Sequence, residues 1–513
     1  MLFNLLAVAV SGLLLALALP KFNLTLLLFG GLIPLLWVLD GVRGRAAFGW
    51  GVVHGLAQNL VTLYWIVYVT VIYGNLPLPV GFVVLVLLAG YISLYRGTWA
   101  WLYTWGRSRG LAGVWWGPVL WISLEFLQTY LITGFPWMLL GYGFHQSLPF
   151  LQLVDLTGVY GLSALVVLWN IGLYDLLRSR ANGHYTWRPA AVALACLLTV
   201  LAYGYNRLPI VRQQMAQAPS LAVAVIQGNI EQGRKWDPAY QQETLKIYEE
   251  LTLQSRSQAP QLVVWPETAA PFFFLRDQKL SPLVEAVARQ SGSYLLFGSP
   301  AFESGPDGES FFNRAYLLAP DGTIIGYYDK AHLVPYGEYV PLRRFFPFIG
   351  KMVPMVGDFV EGPVGRVLNL PEADLGTLIC FESIFPYLSR AMVANGANLL
   401  VNLTNDAWFG RTSAPYQHLA MSVTRAVENR VSLARAANTG ISALAQPDGS
   451  ILWQSDLYTT TAHTASLPLL ARESFYTRFG DLFAWFCVGL TVLGMFGGWF
   501  ITRTRRKGRT ENR

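Results

Sequence analysis

The sequence predicts a polytopic α-helical membrane domain of eight spans, with an α/β domain inserted between spans seven and eight. Hydrophobic residues make up 53% of the 513 residues and charged residues only 13%, about half the charged share of an average soluble domain. The charges are also unevenly placed. Residues 1–206 contain nine Lys/Arg and four Asp/Glu, whereas residues 208–481 contain 21 and 25. The aromatic content excludes a disordered chain, and three cysteines exclude a disulfide scaffold.

Eight apolar stretches are candidates to cross the membrane, for which a helix needs about 20 residues. The first is short, but it lacks a basic region before it and six more spans follow, so we interpret it as a retained helix and not as a signal peptide. The predicted spans are 2–19, 23–39, 49–71, 79–102, 112–132, 157–176, 189–206 and 482–502. The chain is thereby divided into a membrane domain (1–206), an extracytoplasmic domain (207–481), span eight (482–502) and a basic tail (503–513).

Lys and Arg lie in alternate loops, and this alternation predicts the orientation. The segments rich in arginine are 40–48, 103–111, 177–188 and 503–513. The first of the other loops has only Lys21, and the segments 72–78 and 133–156 have neither Lys nor Arg. We therefore expect both termini in the cytoplasm and residues 207–481 on the opposite face. The pI of 9.2 reflects these flanking arginines, so no nucleic-acid partner is expected.

Two ionisable residues fall within predicted spans and are treated as candidates for a functional role. Arg96 lies near the cytoplasmic end of span four, where its side chain could extend to the membrane surface. Glu125 lies about 10 Å deeper, on the basis of 1.5 Å rise per residue. We therefore expect Glu125 to be protonated and hydrogen-bonded, without a direct pair to Arg96. A role on a substrate path is the alternative.

The extracytoplasmic stretch alternates short β-rich runs with helical patterns, which indicates an α/β layer fold. Helices are predicted at 237–256, with Asp237 as N-cap and Pro238 at the first helical position, at 281–291 and at 416–433. The predicted strands lie in 221–230, 261–268, 293–300, 314–320, 323–330, 375–383 and 397–406.

Three of these runs end in residues that form a chemically coherent set. Cys380 follows the run LGTLI, Glu267 follows LVVWP and Lys330 follows TIIGYYD. In α/β folds ligands bind at the carboxyl edge of the sheet. A thiol is mostly protonated at neutral pH and needs a base, which Glu267 can supply. The ammonium of Lys330 can stabilise a thiolate and an oxyanion, together with the backbone N–H of Phe381.

Other arrangements around Cys380 remain open. As the only cysteine of the extracytoplasmic domain, it is either a reactive thiol or an inert buried residue. A Cys–His dyad with His332 or His418 is a further alternative. The six histidines show no metal-ligand spacing and no nearby cysteine pair, so no metal or other cofactor is expected.

With these motifs in view, the chain resembles the nitrilase (carbon–nitrogen hydrolase) superfamily. The resemblance rests on VVWPET, DKAHLVPYGEYVP (329–341) and ICFES, in that order. The eight-span layout and the run GNIEQGRKWD (228–237) are similar to the bacterial apolipoprotein N-acyltransferase family. The resemblance implies an α-β-β-α sandwich domain outside the inner membrane. It also implies transfer of a fatty acyl group from a phospholipid to the α-amino group of the S-diacylglyceryl cysteine of an apolipoprotein.

The resemblance also implies roles for individual residues. Glu267 matches the base of the family, Lys330 its lysine and Cys380 its nucleophile. The supporting positions matched are Glu338, Glu382 and Trp236. Phe381 departs from members that have tyrosine after the cysteine, which puts any role of that hydroxyl in doubt and leaves the backbone N–H role unaffected.

Residues 341–359 mix aromatic residues, Met, Gly and Pro with basic residues, a composition that favours a lid at the membrane interface over a packed loop. Its aromatic anchors would be Phe345, Phe346 and Phe348.

Two other function classes are considered. A membrane-tethered amidase or nitrilase would use the same residues but let water attack the acyl-enzyme. A transporter would need broken spans in symmetric halves, and the sequence has no such repeat. The expected partners are a phospholipid donor, the lipoprotein acceptor and the bilayer, with the enzyme a monomer.

Overall fold

The computed structural model describes residues 1–181, 183, 186–305, 308–339, 359–470 and 473–510, with only the backbone described for 500–510. The chain divides into two compact units. The first contains Met1–Val67, Leu78–Leu208 and Phe479–Arg513, and the second contains Tyr68–Pro77 and Pro209–Arg478. The short segment Tyr68–Pro77 therefore groups with Pro209–Arg478 and not with its neighbours in the sequence.

The first unit is helical, and each of the eight predicted spans falls on helical backbone. Within the described residues, four helices are long and apolar enough to cross a membrane, or five if Arg45–Thr62 and Trp65–Tyr73, bent by 54°, form one span. The four are Leu78–Arg107, Val159–Ala181, Arg188–Gln217 and Leu482–Trp499. The other helical segments of the first unit are Leu2–Ala18, Thr25–Phe29, Ile33–Leu39, Gly113–Tyr130, Leu131–Thr133, Leu140–Phe144, Leu148–Leu151 and Val154–Thr157.

Arg96 and Glu125 lie close together, so the expectation of no direct pair was wrong. Arg96 Nη2 is 3.5 Å from Glu125 Oε1, and both side chains are buried. Glu125 Oε1 also accepts hydrogen bonds from Trp121 Nε1 (2.8 Å) and from the Leu140 backbone N–H (3.1 Å). The helix of Arg96 continues to Arg107, five residues past the predicted end of the span. Arg96 is therefore about as deep as Glu125, and its guanidinium turns inward.

The second unit is built on two six-stranded mixed sheets. The strand order is β12-β1-β2-β3-β4-β5 in the first sheet and β11-β10-β9-β8-β7-β6 in the second. The central strands β1, β2 and β3 run parallel, as do β7, β8 and β9. The strands are β1 (Ser220–Gln227), β2 (Leu262–Val264), β3 (Tyr294–Gly305), β4 (Gly308–Leu318), β5 (Ile324–Asp329), β6 (Val367–Asn369), β7 (Asp374–Ile379), β8 (Leu399–Thr404), β9 (Ser432–Ala437), β10 (Ala443–Ala445), β11 (Ile451–Gln454) and β12 (Thr461–Pro468).

The two sheets face each other and carry helices on their outer faces, so this unit is an α-β-β-α sandwich. Helices Pro238–Ser255 and Ser281–Ser291 pack with the first sheet, where Trp265 and Tyr248 stack at 5.0 Å in the core. Helices Pro386–Ala394 and Ala414–Asn429 pack on the second sheet. The remaining helical segments are Gln232–Lys235, Arg256–Gln258, Cys380–Ile384, Asp406–Phe409 and Phe475–Phe479.

Most of the predicted elements of this unit are present. Asp237 caps the helix that begins at Pro238 by accepting a hydrogen bond from the Ala239 backbone N–H. The predicted helix 416–433 was wrong at its carboxyl end. It stops at Asn429, because Arg430 adopts a left-handed φ of +56°, and the chain continues as β9. As the sequence predicted, Glu267, Lys330 and Cys380 follow the strands β2, β5 and β7.

Candidate active site

Cys380 is the first residue after β7 and opens a short 3-10 helix, Cys380–Ile384. Its φ is +52°, in the left-handed region. That conformation costs a non-glycine residue of order 1–3 kcal/mol and persists only where the surroundings hold it. The residue is 7% exposed. A cysteine held in a strained turn at the end of a central strand is typical of a functional position.

Glu267 follows β2 and is held through both carboxylate oxygens. Oε1 accepts a hydrogen bond from Asn313 Nδ2 (2.8 Å), and Oε2 accepts one from the backbone N–H of Asn405 (3.0 Å). The backbone of β3 passes close by at Gly298, where a Cβ would lie 2.4 Å from the backbone nitrogen of Thr268. Glycine at this position therefore allows the sheet to pack against the Glu267 turn.

Lys330 follows β5, and its ammonium lies between two carboxylates. Nζ donates a 2.9 Å hydrogen bond to Glu338 Oε1 and lies 3.6 Å from Glu267 Oε1. Asn313 Nδ2 also donates to Glu338 Oε1 (2.9 Å), so one amide connects the two carboxylates. Glu338 Oε2 accepts the backbone N–H of Val334 at 2.8 Å. The structure thus brings Glu267, Lys330 and Glu338 together in one hydrogen-bonded group.

Electrostatics fix the resting protonation of the thiol and the amine. Burial, and then the charge of Glu267, raise the pKa of the Cys380 thiol, although Lys330 opposes this shift. Burial disfavours the charged form of Lys330, but Glu338 and then Glu267 outweigh it, so the pKa of Lys330 is raised. At neutral pH the thiol is therefore protonated and the lysine is an ammonium. A reaction of the thiol must transfer its proton to a base, and Glu267 belongs to the same charged group.

Glu382 joins the turn of Cys380 to the turn of Lys330. Its Oε2 accepts the backbone N–H of Ile379 (2.6 Å), and its Oε1 accepts those of Ala331 (2.6 Å) and His332 (3.1 Å) and the hydroxyl of Tyr328 (2.8 Å). Burial raises the pKa of Glu382 to about 7, against the lowering effect of these donors. With no exposed surface, this carboxyl group acts as a brace between two strand ends.

The other predicted positions are more peripheral to this hydrogen-bonded group. Phe381 is buried, with its ring 5.2 Å from that of Phe385. Trp236 is half-buried and ends the short helix Gln232–Lys235. The predicted lid residues Phe345, Phe346 and Phe348 lie outside the described residues.

The two histidines considered for a Cys–His dyad have other partners. His332 Nδ1 lies 3.0 Å from the Tyr387 hydroxyl, and His418 Nε2 lies 3.0 Å from the backbone carbonyl oxygen of Cys380. Burial lowers the pKa of His332 to about 4, with Lys330 adding to the effect. The geometry therefore favours Glu267 over either imidazole as the base.

Sequence reasoning missed three residues that contact Glu267. Asn313 lies inside β4, and Asn405 lies just past β8. Lys235 Nζ donates a 2.9 Å hydrogen bond to the Glu267 backbone carbonyl oxygen. Burial lowers the pKa of Lys235 to about 8, and Glu267 and Cys380 only partly offset the shift. Two signals were available in the sequence. Lys235 is adjacent to the predicted Trp236, and Asn313 is a polar residue within an apolar strand.

Two family models match the chain. Residues 222–475 match the family model of the carbon-nitrogen hydrolases, and residues 11–172 match that of the apolipoprotein N-acyltransferase N-terminal domain. Among solved structures, a mutant amidase from Nesterenkonia sp. AN1 aligns with 51% of this chain and 94% of its own, at 22% identity and a TM-score of 0.38.

Curated relatives align along nearly the whole chain. The apolipoprotein N-acyltransferase of Geobacter metallireducens is 44% identical over 482 residues, covering 93% of this chain and 92% of that protein. Those of Rhodopseudomonas palustris and Bradyrhizobium diazoefficiens are 30% and 33% identical, each covering 94% of this chain and 93% of the relative. By this similarity over nearly its full length, the chain belongs to the apolipoprotein N-acyltransferase family.

Proposed function

We propose that this protein transfers a fatty acyl group from a membrane phospholipid to the α-amino group of the S-diacylglyceryl cysteine of apolipoproteins, the last step of lipoprotein maturation. The observation that carries the proposal is the group formed by Cys380, Glu267 and Lys330, which follow β7, β2 and β5. Membership of the acyltransferase family, at up to 44% identity among the relatives described, supports the choice of donor and acceptor.

In the first half-reaction, the Cys380 sulfur attacks the ester carbonyl carbon of the phospholipid. The thiol proton passes to Glu267 as the C–S bond forms. The ammonium of Lys330 stabilises the oxyanion, with the backbone N–H of Phe381 as a second donor. When the intermediate collapses, the bond to the glycerol oxygen breaks and Glu267 returns the proton to that oxygen. A lysophospholipid leaves, and the acyl chain remains as a thioester on Cys380.

In the second half-reaction, the neutral α-amine of the lipoprotein cysteine attacks the thioester carbonyl carbon. Glu267 accepts the amine proton and delivers it to the departing Cys380 sulfur. The products are an amide on the lipoprotein and the free thiol of the enzyme. Glu338 supports both steps by holding Lys330 through its 2.9 Å hydrogen bond, and we assign Glu382 and Trp236 to supporting roles.

The proposed enzyme has eight spans and works at the outer face of a bacterial inner membrane. Its membrane domain is 1–206, its periplasmic domain 207–481, its last span 482–502 and its cytoplasmic tail 503–513. The alternation of arginine among the loops supports this orientation. We further propose that the enzyme is a monomer and that residues 341–359, through Phe345, Phe346 and Phe348, admit lipid at the interface.

Orientation is tested with a cysteine introduced at the exposed Ser304. A membrane-impermeant thiol reagent should label it in spheroplasts. Labelling that requires prior rupture of the membrane would contradict a periplasmic domain and, with it, access to lipoprotein substrates. A cysteine introduced in place of Ser179, in the predicted loop 177–188, is the matched control and should show the opposite pattern.

The function itself is tested by mass spectrometry of the purified protein after exposure to phospholipid without acceptor. An acyl adduct on Cys380, lost in Cys380→Ala, is expected. The adduct should then disappear, with formation of an N-acylated product, when a diacylglyceryl lipopeptide is added. An adduct discharged by water and not by the lipopeptide would instead identify a membrane-tethered hydrolase of the amidase type. An adduct at another residue would refute the assignment of Cys380.

A further inference from the structure

Beneath Cys380, a set of buried polar side chains links the nucleophile to an internal ion pair. We call it the His418 network. The steps proposed for acyl transfer use none of its members, and each member is at most 1% exposed. The members are Ser383, Asn402, Asp406, His418, Ser422 and Arg435.

The network reaches the nucleophile through the Cys380 backbone carbonyl oxygen. His418 Nε2 lies 3.0 Å from that oxygen. His418 Nε2 also lies 2.9 Å from Ser383 Oγ. A carbonyl oxygen can only accept, so the contact to Cys380 is a hydrogen bond in the tautomer that carries its proton on Nε2. Ser383 Oγ (3.2 Å) and Asn402 Nδ2 (3.5 Å) approach the same oxygen at longer distances. Of these three donors, His418 makes the shortest contact.

The opposite edge of the imidazole is also held. Arg435 Nη2 lies 3.0 Å from His418 Nδ1 and donates a 2.7 Å hydrogen bond to Asp406 Oδ2. Asp406 Oδ1 in turn accepts the hydroxyl of Thr404 at 2.9 Å. His418 Nδ1 also lies 3.0 Å from Asp406 Oδ1. Burial, and then the Arg435 charge, lower the pKa of His418. The ring is therefore neutral and carries one proton; in the tautomer protonated at Nε2, Nδ1 accepts from Arg435 while Nε2 donates to Cys380.

Stability alone does not account for such a network. Burying an ion pair removes its hydration, and well-packed apolar residues of similar volume are often equally stabilising or more so. The order Ser383–His418–Asp406 matches that of a hydrolase triad, but Ser383 has no exposed surface, so a substrate cannot reach its hydroxyl. What the network does contact is the backbone of Cys380, a residue in the left-handed conformation.

We propose that His418 is a positioning residue for acyl transfer: its hydrogen bond to the Cys380 carbonyl oxygen holds the left-handed turn that places the thiol beside Glu267 and Lys330. The inference rests on the proposed function, since it concerns the same nucleophile. Misplacing a reacting group by about 1 Å can slow a reaction about 10²-fold. His418 therefore acts on the rate of thioester formation without touching the substrate.

Two substitutions whose side chains differ by one methylene group distinguish this positioning role from a role in which His418 only fills space in the core. In His418→Gln the side-chain amide can reach as far as Nε2 and donate to Cys380. In His418→Asn the amide reaches only as far as Nδ1, toward Asp406 and Arg435. We expect His418→Gln to keep thioester formation close to the wild-type rate and His418→Asn to slow it about 10²-fold. The readout is the rate of acyl-adduct formation on Cys380 after phospholipid is added without acceptor.

The control is Thr424→Val, on the same helix. Thr424 is 1% exposed, and its hydroxyl donates a local hydrogen bond to the carbonyl oxygen of Ala420 at 2.8 Å. This variant should lower the melting temperature without slowing thioester formation in the folded protein. If His418→Asn does not fold, Ser383→Ala replaces it. That variant removes a longer donor contact to Cys380 and the 2.9 Å contact between Ser383 Oγ and His418 Nε2, and it should slow the same step to a smaller degree.

The outcomes are distinguishable. If the wild-type protein forms no adduct with phospholipid, the proposed function itself fails. If the wild type forms the adduct, equal rates in His418→Gln and His418→Asn overturn the positioning role. A loss of rate that follows melting temperature across all variants, Thr424→Val included, also overturns it. With Ser383→Ala as the substitute, an unchanged rate overturns it.

Discussion

Lys330 Nζ donates a 2.9 Å hydrogen bond to Glu338 Oε1, a shorter contact than its 3.6 Å approach to Glu267 Oε1. The closer carboxylate therefore provides most of the compensation for the buried ammonium. Asn313 supports this division by donating to both carboxylates. We propose that the two glutamates have different tasks, Glu338 as the counter-ion of Lys330 and Glu267 as the base.

Glu338→Gln should slow thioester formation about 10- to 100-fold, because Lys330 would pair with Glu267 and compete with the thiol proton for its carboxylate. The rate of adduct formation on Cys380 measures the effect. The matched control is Glu309→Gln, an exposed carboxylate in β4 of the same unit, which should leave the rate unchanged. A Glu338→Gln variant that forms the thioester at the wild-type rate would contradict the role of counter-ion.

Lys330→Met should slow both half-reactions by about 10²–10³-fold, because each passes through an oxyanion that loses its cationic donor. Single-turnover measurements separate the steps: adduct formation from phospholipid, and discharge of a preformed thioester by a lipopeptide amine. Lys279→Met, which removes an exposed lysine, is the control. Slowing confined to lipid binding would show that Lys330 has a different role.

Glu382→Gln should destabilise the second unit by about 1–3 kcal/mol and slow thioester formation, although we assign Glu382 no substrate contact. Both carboxylate oxygens accept backbone N–H groups, at Ile379 and at Ala331. An amide nitrogen must face one of these donors and leave it unpaired. Because those donors flank Cys380 and Lys330, the distances between the reacting groups change. If Glu382→Gln leaves both the melting temperature and the rate of thioester formation unchanged, Glu382 does not act as a brace between the turns of Cys380 and Lys330.

The residues proposed to react could be singled out from the sequence because each follows an apolar strand, where a Glu, Lys or Cys stands out. Asn313 could not, because it lies within β4 and its contacts to Glu267 and Glu338 depend on the pairing of distant strands. Lys235 was hidden because it lies outside the helices and strands predicted from the sequence, where a lysine is usually solvated. The end of the helix Ala414–Asn429 was mispredicted because the apolar spacing continues past Asn429. A glycine at position 430 would have indicated a left-handed turn, but the residue there is an arginine.

Stability should depend on pH through Lys235. Burial lowers its pKa to about 8, whereas an unfolded lysine has a pKa of about 10.4. Below pH 8 both states bind the proton, so the folded state carries the whole cost of the buried charge. Between about pH 8 and about pH 10.4 only the unfolded state binds it, so the free energy of unfolding rises with pH, by about 3 kcal/mol in all.

Melting temperatures from pH 7 to pH 10 check this dependence. Lys235→Met lacks the titrating group, so its advantage over the wild type should shrink as the pH rises above 8. Lys279→Met, at an exposed position, should follow the wild type throughout. If the melting temperatures of wild type and Lys235→Met change in parallel from pH 7 to pH 10, Lys235 does not titrate near pH 8 in the folded protein.

Normal turnover should be ping-pong, because the donor and the acceptor are both bulky and both embedded in the bilayer. One apolar groove used twice is sufficient if the acyl chain stays on Cys380 while the lysophospholipid leaves. Parallel double-reciprocal plots with an isolable thioester are expected. Intersecting plots, together with no thioester, would indicate direct transfer in a ternary complex and overturn the mechanism.

The waiting thioester is open to hydrolysis, and we expect residues 341–359 to limit the entry of water at that stage. Replacement of Phe345, Phe346 and Phe348 by serine should weaken lipid engagement and raise the ratio of free fatty acid to transferred acyl chain. Both products are measured from labelled phospholipid in the presence of lipopeptide. Serine substitutions at Phe302, Phe311 and Phe312 in β3 and β4 serve as controls for a general loss of aromatic packing, because they should lower stability without changing the ratio. An unchanged ratio in the triple lid variant, with normal thioester formation, would mean that water is excluded by the walls of the site around Cys380 and not by this segment.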